Sequence, residues 1–281
     1  MIDLLAVGHV ARDEFPGAPW RLGGTALYAA VAAARLGRRV ALVTRVGPGE
    51  RDALEQRCRD EGIELHALAS VVTTTFAFRY DEEGQRHLTL KARAKGISRE
   101  DVAGRLRVPH AVVYASIAHE LSPGRFAAIA APASVLVAQG YLRGWDADGT
   151  VVPREWTEAK AMLGTVSATV VSEDDLAGDL SLAERWSHTT PVVVTLAERG
   201  ARIFERGQAR DVPGFRADTV VDQTGAGDAF AAGLALAIAD GKPLDGAARY
   251  ANAVASFAVE GLGTAGLGDQ SRVAARLARP Q

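Results

Sequence analysis

The sequence predicts an α/β protein with a mostly parallel central sheet covered by helices on both faces. Short β-branched runs alternate with longer Ala/Leu-rich segments along the chain. Turn residues bound these runs, which is typical of strands buried on both faces of a sheet. With 281 residues, 48% of them hydrophobic and 23% charged, the chain has an ordinary globular composition and can bury a large core.

The alternation places each element in order. We predict strands at residues 2–8, 39–46, 111–116, 134–139, 168–172 and 191–196. We predict helices at residues 24–37, 50–61, 121–131, 155–163, 181–188, 226–240 and 244–260. Because no repeat or low-complexity linker interrupts this order, we expect a single domain over residues 1–281.

One segment departs from the alternation. In residues 73–92, Phe76, Phe78 and Tyr80 alternate with polar residues, and a polar turn and a second alternating run follow. This pattern predicts a β-hairpin. Within a parallel α/β fold, such a hairpin is expected to project from the sheet as a lid, and an antiparallel pair at the edge of the main sheet is the alternative.

The bulk properties restrict the classes of partner and compartment. A net charge of −2 gives no argument for binding nucleic acid or an acidic membrane surface. The single cysteine, Cys58, excludes an internal disulfide framework and suits a reducing compartment. The sequence shows no signal peptide, and the longest uncharged run, 126–142, contains Pro132 and Gly140. We therefore expect a cytoplasmic protein with no membrane partner.

Several common active-site motifs are missing or misplaced. The chain has no P-loop and no G-x-S-x-G, and its six histidines show no paired spacing for zinc. Residues 261–266, "GLGTAG", match the dinucleotide pattern, but they follow a helix rather than a strand. A nicotinamide oxidoreductase is therefore a weak alternative.

The stretch "VVDQTGAGDAF" places Gly225, Ala226 and Gly227 directly before Asp228 at the start of a predicted helix. The first N–H groups of a helix lack internal partners and carry partial positive charge, so they can bind an anion. Asp228 would then lie where it can take a proton from a group that faces that anion. Simple capping of the helix by Asp222 or Thr224 is the structural alternative.

Four motifs in order resemble the ribokinase-like, or PfkB-type, carbohydrate kinases. "DQTGAGDAFAAG" looks like the C-terminal signature of that family, and "GHVARD" resembles the motif of its first strand. "RLGGTALYAAVAAARLG" resembles its Gly-Gly motif, while "VTLAERGA" and "YANAVASFAVEGLG" resemble its nucleotide-side segments. The resemblance covers essentially the whole chain and is nearest to the inositol-kinase-like branch.

The resemblance implies a ribokinase-like three-layer sandwich with a small β lid. It further implies an ATP-dependent kinase acting on a hydroxyl of a small polyol or sugar, with Asp228 as general base and Gly225, Ala226 and Gly227 as the anion hole. The interval from Asp13 to Gly23 is too short for the extra lid strands of ribokinase itself. We therefore expect a reduced lid built mainly from residues 73–92.

The resemblance and the ends of the predicted strands supply the other candidate residues. Substrate candidates are Asp13, Gly23, Gly24, Gln139 and Arg143. Nucleotide candidates are Thr195, Gly200, Thr224, Asn252 and Gly263. Ser172 and Asp175 would hold magnesium through water, and Asp222 would lie near a monovalent cation such as K⁺. Each acid also has a structural alternative: Asp13 as a surface-loop acid, Ser172 with Asp175 as a helix cap, and Asp222 as a turn-forming side chain.

The chain departs from the family pattern at several positions. Gln223 stands where Thr or Pro is usual, Ala197 replaces a glycine, and Tyr28 stands where the sugar-specific branch has Asn. These departures leave the acceptor open among polyols, sugars and nucleosides. A nucleoside kinase of the same family and a catalytically silent binding module are therefore alternatives, and both a monomer and a homodimer are compatible with the sequence.

Overall fold

The computed structural model describes residues 1–81, 83, 86–102, 108–121 and 129–279. Its strands are β1 Leu4–Val7, β2 Ala11–Glu14, β3 Arg21–Gly23, β4 Val40–Val46, β5 Glu64–Ala69, β6 Thr74–Tyr80, β7 Arg86–Ala92, β8 Ala111–Ala115, β9 Ala133–Val137, β10 Arg143–Trp145, β11 Val151–Pro153, β12 Ala168–Ser172, β13 Val192–Thr195, β14 Gly200–Glu205 and β15 Gln208–Pro213. Its helices are α1 Thr25–Arg35, α2 Pro48–Asp60, α3 Arg99–Val102, α4 Ala159–Leu163, α5 Ser181–Trp186, α6 Ala226–Ala239, α7 Leu244–Ala258 and α8 Gln270–Leu277.

The central sheet carries the fold. Within the described residues its strands lie in the order β15-β14-β13-β12-β9-β8-β1-β4-β5. Pairing is parallel from β13 through to β5, and β14 and β15 extend one edge as an antiparallel pair. All six predicted main strands belong to this sheet, so the predicted mostly parallel α/β class is confirmed.

Two apolar cores lie on opposite faces of this sheet. In β1, Leu4 and Ala6 belong to the core that contains α1, α6 and α7, whereas Leu5 and Val7 belong to the core that contains α4 and α5. Successive residues of a strand point to opposite faces, so a strand buried on both sides must be apolar throughout. The fold is therefore a three-layer sandwich of helices, sheet and helices.

A second, smaller sheet forms the predicted lid. Its order is β3-β2-β6-β7, with β6 and β7 as the predicted hairpin and β2 lying parallel to β6. The alternative of an edge pair on the main sheet is therefore wrong. The expectation that the interval from Asp13 to Gly23 is too short for lid strands is wrong, because this part of the chain contributes β3 and the end of β2. These strands are three and four residues long and rich in charge, so they carry no clear period-two signal.

Other differences from the sequence predictions are local. The predicted helix 121–131 falls mostly on residues 122–128, which lie outside the described part of the chain. The helix predicted over 155–163 begins only at Ala159. Among the residues that the structure describes, no helix is both long and apolar enough to span a bilayer.

Candidate active site

A cleft of about 210 Å³ lies where several central strands end. Ile117, Gln139, Ser172 and Thr195 line it, and they end or closely follow β8, β9, β12 and β13. Open α/β sheets bind ligands at the carboxyl ends of their strands, because backbone and loop groups converge there. The first turns of α1 and α6 and the small sheet complete the lining.

The cleft brings together many of the residues predicted from sequence. Those that line it are Asp13, Gly24, Gln139, Arg143, Ser172, Thr195, Thr224, Gly225, Gly227 and Asp228. The remaining candidates lie outside the lining: Gly23, Asp175, Gly200, Asp222, Ala226, Asn252 and Gly263. Gln223, whose place in the motif is unusual, lines the cleft as well.

The start of α6 is shaped by two glycines with different roles. Gly225 precedes the helix with φ of 85°, a conformation that favours glycine, and a Cβ there would lie 2.0 Å from Cδ1 of Tyr28. Gly227 has nothing within 4 Å of the position of a Cβ, so the space above it is open. The protein itself therefore requires a glycine at 225, whereas at 227 the missing side chain leaves the helix N-terminus accessible.

Asp228 lies in the first turn of α6 and is partly exposed to the cleft. Burial raises the pKa of Asp228 to about 6, while a hydrogen bond from Thr25 and the positive charge of Arg143 oppose this shift. The carboxyl group is thus ionised at neutral pH, yet basic enough to take a proton from a hydroxyl. Thr25, which follows the Gly-Gly pair at the start of α1, was not predicted from the sequence.

Asp13 lies in β2, in the small sheet, rather than in the loop after β1. Only 7% of its surface is exposed, and it lines the cleft, so the surface-loop alternative is wrong. A Cβ on Gly23 would lie 1.9 Å from Asp13 Oδ2. Gly23 therefore makes room for the carboxylate and lies outside the lining of the cleft. Gly24 precedes α1 with φ of 94° and packs against the backbone of residues 9–11.

The small sheet contributes an apolar part of the lining. Phe76, Phe78 and Leu88 join Ile117 at the cleft. Phe78 also stacks on Phe15, with ring centroids 4.7 Å apart. Phe76 and Phe78 thus pack in a buried apolar cluster and also border the cleft, whereas the side chain of Tyr80 lies outside the described residues.

Two residues predicted to bind the nucleotide make contacts within the protein. Asn252 donates hydrogen bonds from Nδ2 to the carbonyl oxygens of Val212 (3.1 Å) and Pro213 (3.0 Å), which ties α7 to the end of β15. Gly200 has φ of 97°, and a Cβ there would lie 2.3 Å from the carbonyl oxygen of Val212. Both residues shape the corner behind Thr195. Ala197, where the family has glycine, adopts a positive φ of 53°.

Asp222 joins two loops beside the start of α6. It accepts hydrogen bonds from the backbone N–H groups of Thr224 (2.9 Å) and Gly263 (3.3 Å). Arg21 approaches it at 4.0 Å. These contacts match the turn-forming alternative for Asp222, and the cation role stays a prediction.

Ser172 and Asp175 bind each other. The hydroxyl of Ser172 donates to Asp175 Oδ2 at 2.5 Å, and the backbone N–H of Asp175 donates to Ser172 Oγ at 3.0 Å. This is the reciprocal pattern of a helix cap. Among the described residues, no group of three His, Cys, Asp or Glu side chains is arranged to hold a metal ion. Magnesium carried by donor phosphates needs only one or two carboxylates beside its waters, and Asp175 could serve as one.

The fold and the cleft define a class of protein. The sheet, its two helical layers and the small second sheet form a ribokinase-like fold, and carbohydrate kinases of that fold are transferases with an alcohol group as acceptor. Residues 137–269 match the family model described as "pfkB family carbohydrate kinase". This part of the chain, just under half of its length, thus matches the pfkB family of carbohydrate kinases, in agreement with the resemblance seen in the motifs.

Curated relatives match shorter segments. The inositol 3-kinase of Arabidopsis thaliana is 40% identical over 80 residues, which are 28% of this chain and 22% of that protein. The bifunctional protein HldE of Helicobacter pylori is 35% identical over 94 residues, 34% of this chain and 20% of that protein. The chain thus spans about a fifth of the length of these curated relatives.

Solved structures share the whole fold. A pyrophosphate-dependent kinase of the ribokinase family, complexed with a pyrophosphate analog and myo-inositol, has a TM-score of 0.79 at 20% identity, with 97% of this chain and 99% of that chain covered. The nucleoside kinase of Burkholderia thailandensis in complex with inosine has a TM-score of 0.75 at 17% identity, covering 98% and 96%. Ribokinase of Arabidopsis thaliana, complexed with ribose and ATP, has a TM-score of 0.71 at 19% identity, covering all of both chains. At these identities the likeness establishes the fold.

Proposed function

We propose that this protein is an ATP-dependent kinase that phosphorylates a hydroxyl of a small polyol or sugar, with myo-inositol as the first candidate acceptor. One observation carries the proposal: Asp228 and Asp13 line the same cleft, and Asp228 stands in the first turn of α6 beside the open face of Gly227. Phosphoryl transfer to a hydroxyl needs a base, an anion-binding group and a hydroxyl-binding group around one small volume, and this shared lining supports the proposal.

The proposed reaction is an in-line displacement at phosphorus. The acceptor oxygen forms a bond to the γ-phosphorus, the bond to the bridging oxygen breaks, and ADP leaves. Asp228 takes the proton of the attacking hydroxyl as general base. The amide groups at residues 225–227 bind the transferring phosphoryl group and stabilise the charge that develops on it. Arg143 adds positive charge near Asp228.

The lining favours a small acceptor with both polar and apolar surface. Asp13, Gln139 and Arg143 offer a carboxylate, an amide and a guanidinium, whereas Phe76 and Phe78 offer apolar area. A carboxylate can accept hydrogen bonds from two neighbouring hydroxyls, and the C–H surface of a cyclic polyol packs well against aromatic rings. A cleft of about 210 Å³ suits a single ring of this size.

Exposed apolar residues beside the cleft support a nucleotide as phosphoryl donor. Val220, Val221 and Leu262 are 64%, 53% and 55% exposed. The backbone N–H of Val221 donates to the carbonyl oxygen of Val259 at 2.7 Å, and Asp222 links to Gly263, so the two loops that carry them lie side by side. An exposed apolar surface next to the start of α6 suits contact with a nucleobase, whereas pyrophosphate has no apolar part that could cover this surface.

Magnesium, when bound with the donor, would neutralise phosphate charge. Asp175 would approach it through water, with Ser172 orienting the carboxylate. Activation by a monovalent cation near Asp222, a cytoplasmic location and the choice between monomer and homodimer remain predictions of the sequence.

A donor and acceptor panel tests the proposal. Purified protein with magnesium is given either ATP or pyrophosphate, together with inositols, hexoses, pentoses or nucleosides, and phosphorylated acceptor is measured by mass spectrometry. We expect acceptor-dependent ADP release with ATP and a polyol or sugar. Turnover with pyrophosphate alone would contradict the donor assignment, and binding without turnover across the panel would favour a silent binding module.

A nucleoside kinase is the second candidate, and one observation favours it. Phe76 and Phe78 both line the cleft, and Phe78 already stacks on Phe15. An aromatic surface of this kind can bind a base by stacking. Turnover of inosine or adenosine in preference to every polyol would support this alternative.

A further inference from the structure

We propose that His9 is a positioning residue that joins the small sheet, and with it Asp13, to the central sheet. The part of this proposal that concerns acceptor binding rests on the proposed kinase function. The chain passes between the small sheet (β3-β2-β6-β7) and the rest of the molecule at four places: after β1, after β3, before β6 and after β7. His9 lies two residues after the end of β1 and contacts the chain at or next to the other three places.

The imidazole ring connects the two ends of the β6–β7 hairpin. Its Nδ1 lies 2.8 Å from Oγ1 of Thr74, the first residue of β6. Its Nε2 lies 3.0 Å from the carbonyl oxygen of Lys95, shortly after β7. Thr74 Oγ1 in turn accepts a hydrogen bond at 3.0 Å from the backbone N–H of Ala94. One side chain therefore holds both ends of the hairpin in place.

These partners determine the form of the ring. A carbonyl oxygen can only accept, so Nε2 of His9 carries a hydrogen and donates it to Lys95. Thr74 Oγ1 uses an acceptor site for Ala94 and donates its own hydrogen to Nδ1. The neutral imidazole thus satisfies every member of this chain of hydrogen bonds. Burial lowers the pKa of His9, which also favours the neutral ring. The polar ring is fully buried, so a break in the chain would leave unpaired groups away from water.

The backbone of His9 makes two further contacts, one to the loop after β8 and one to the chain after β3. Its N–H donates to Glu120 Oε1 at 2.8 Å, and that buried carboxylate also accepts from Ser116, Ile117 and Ala118 after β8. Its carbonyl oxygen lies 2.6 Å from the position that a Cβ on Gly24 would take. Gly24 thus packs directly against His9 where the chain leaves the small sheet for α1.

This junction bears on the acceptor through Asp13. Asp13 of β2 pairs with Phe76 of the neighbouring strand β6, so the placement of β6 fixes the placement of the carboxylate. Phe76 and Phe78 line the cleft from the same strand. A loosened hairpin should therefore weaken acceptor binding. Asp228 should keep its geometry, because α6 packs on the central sheet rather than on the small sheet.

Substitutions at Thr74 test this directly. Thr74→Val keeps the shape of the side chain but removes the hydroxyl, and Thr74→Ser keeps the hydroxyl. Thr44→Val is the matched control, because buried Thr44 accepts its hydrogen bond from the N–H of Val10, on the connection between β1 and β2. His9→Asn is a second variant, since an asparagine amide can reach the place of Nδ1 but not that of Nε2.

Two measurements are made on each variant. Hydrogen–deuterium exchange compares amides of β6 and β7 with those of β1 and β8 and needs no substrate. We expect exchange in β6 and β7 to become at least ~10-fold faster in Thr74→Val and His9→Asn, with little change in Thr74→Ser and Thr44→Val. With ATP and myo-inositol, we expect the KM for myo-inositol to rise about 10-fold in the same two variants, with kcat within about 3-fold of the parent.

The two measurements separate the possible failures. Unchanged exchange in β6 and β7 of both Thr74→Val and His9→Asn would overturn the junction. Faster exchange with an unchanged KM would overturn its role in acceptor binding. If the parent protein turns over no acceptor, the proposed kinase function fails, while the exchange data still decide whether His9 holds the small sheet.

Discussion

Gly225 lies against the ring of Tyr28 so closely that a Cβ on Gly225 would be 2.0 Å from Tyr28 Cδ1. Burial, followed by the charges of Asp228, Asp13 and Asp222, raises the pKa of Tyr28, so its phenol stays neutral. The tyrosine on α1 and the glycine before α6 thus fix the two helix starts against each other. This contact sets the position from which Asp228 faces the cleft.

The two glycines of the turn should respond differently to alanine. Gly225→Ala combines a φ of 85° with overlap on Tyr28, so we expect a loss of about 2–4 kcal/mol in unfolding free energy. Gly227→Ala meets no atom within 4 Å, so stability should stay within about 1 kcal/mol of the parent. Its methyl group would instead project toward the anion site and lower kcat. Urea unfolding and steady-state kinetics measure both, and equal stability of the two variants would contradict this assignment.

Asp228→Asn should stabilise the protein at neutral pH. The pKa of Asp228 is raised to about 6 in the folded protein, so the ionised carboxylate opposes folding once the pH exceeds that value. The neutral amide removes this cost, and we expect a gain of about 1–3 kcal/mol at pH 7. The gain should shrink as the pH falls from about 6 to below 3.8, because the carboxyl group is protonated first in the folded state and then in the unfolded state. Urea titrations at several pH values test this, and a stability difference independent of pH would argue against it.

The same pKa predicts a pH profile for the reaction. A general base works only when it is ionised, so kcat should be low in acid, reach half of its maximum near pH 6 and level off about one pH unit higher. End-point assays of phosphorylated product with the best acceptor, between pH 5 and 8, give the profile. A flat rate over this range would mean that Asp228 does not take the proton in the rate-limiting step.

Gly23→Ala should act through Asp13. A Cβ at this position would lie 1.9 Å from Asp13 Oδ2, so the carboxylate must move. We expect a rise of about 10-fold or more in acceptor KM, similar to that of Asp13→Asn, and little change in the KM for the donor. If Gly23→Ala and Asp13→Asn affect the donor KM instead, the assignment of Asp13 to the acceptor is wrong.

Sequence reasoning found the strongly patterned parts of the molecule. The buried strands and the helices at residues 226–239 and 244–258 carry long apolar runs, and the glycine turn before Asp228 has a physical reason to be small. The short strand β2 is stabilised by pairing with β6, and β3 by pairing with β2, rather than by their own patterns, so their sequences give no sign of them.

One missed element did leave a signal. β14 and β15 form a hairpin whose turn residues, Arg206 and Gly207, both have positive φ, and an Arg-Gly pair between alternating runs is a weak turn signal. The contacts of Thr25 with Asp228 and of His9 with Thr74 join residues distant in sequence. Such pairs become visible only once the chain is folded.

The most direct test of the central claim is the turnover of Asp228→Asn with the acceptor that the panel identifies. The general-base role predicts a kcat lowered at least ~100-fold, with the acceptor KM changed only a few-fold and the protein folded. An Asp228→Asn enzyme with the full kcat of the parent would contradict the mechanism.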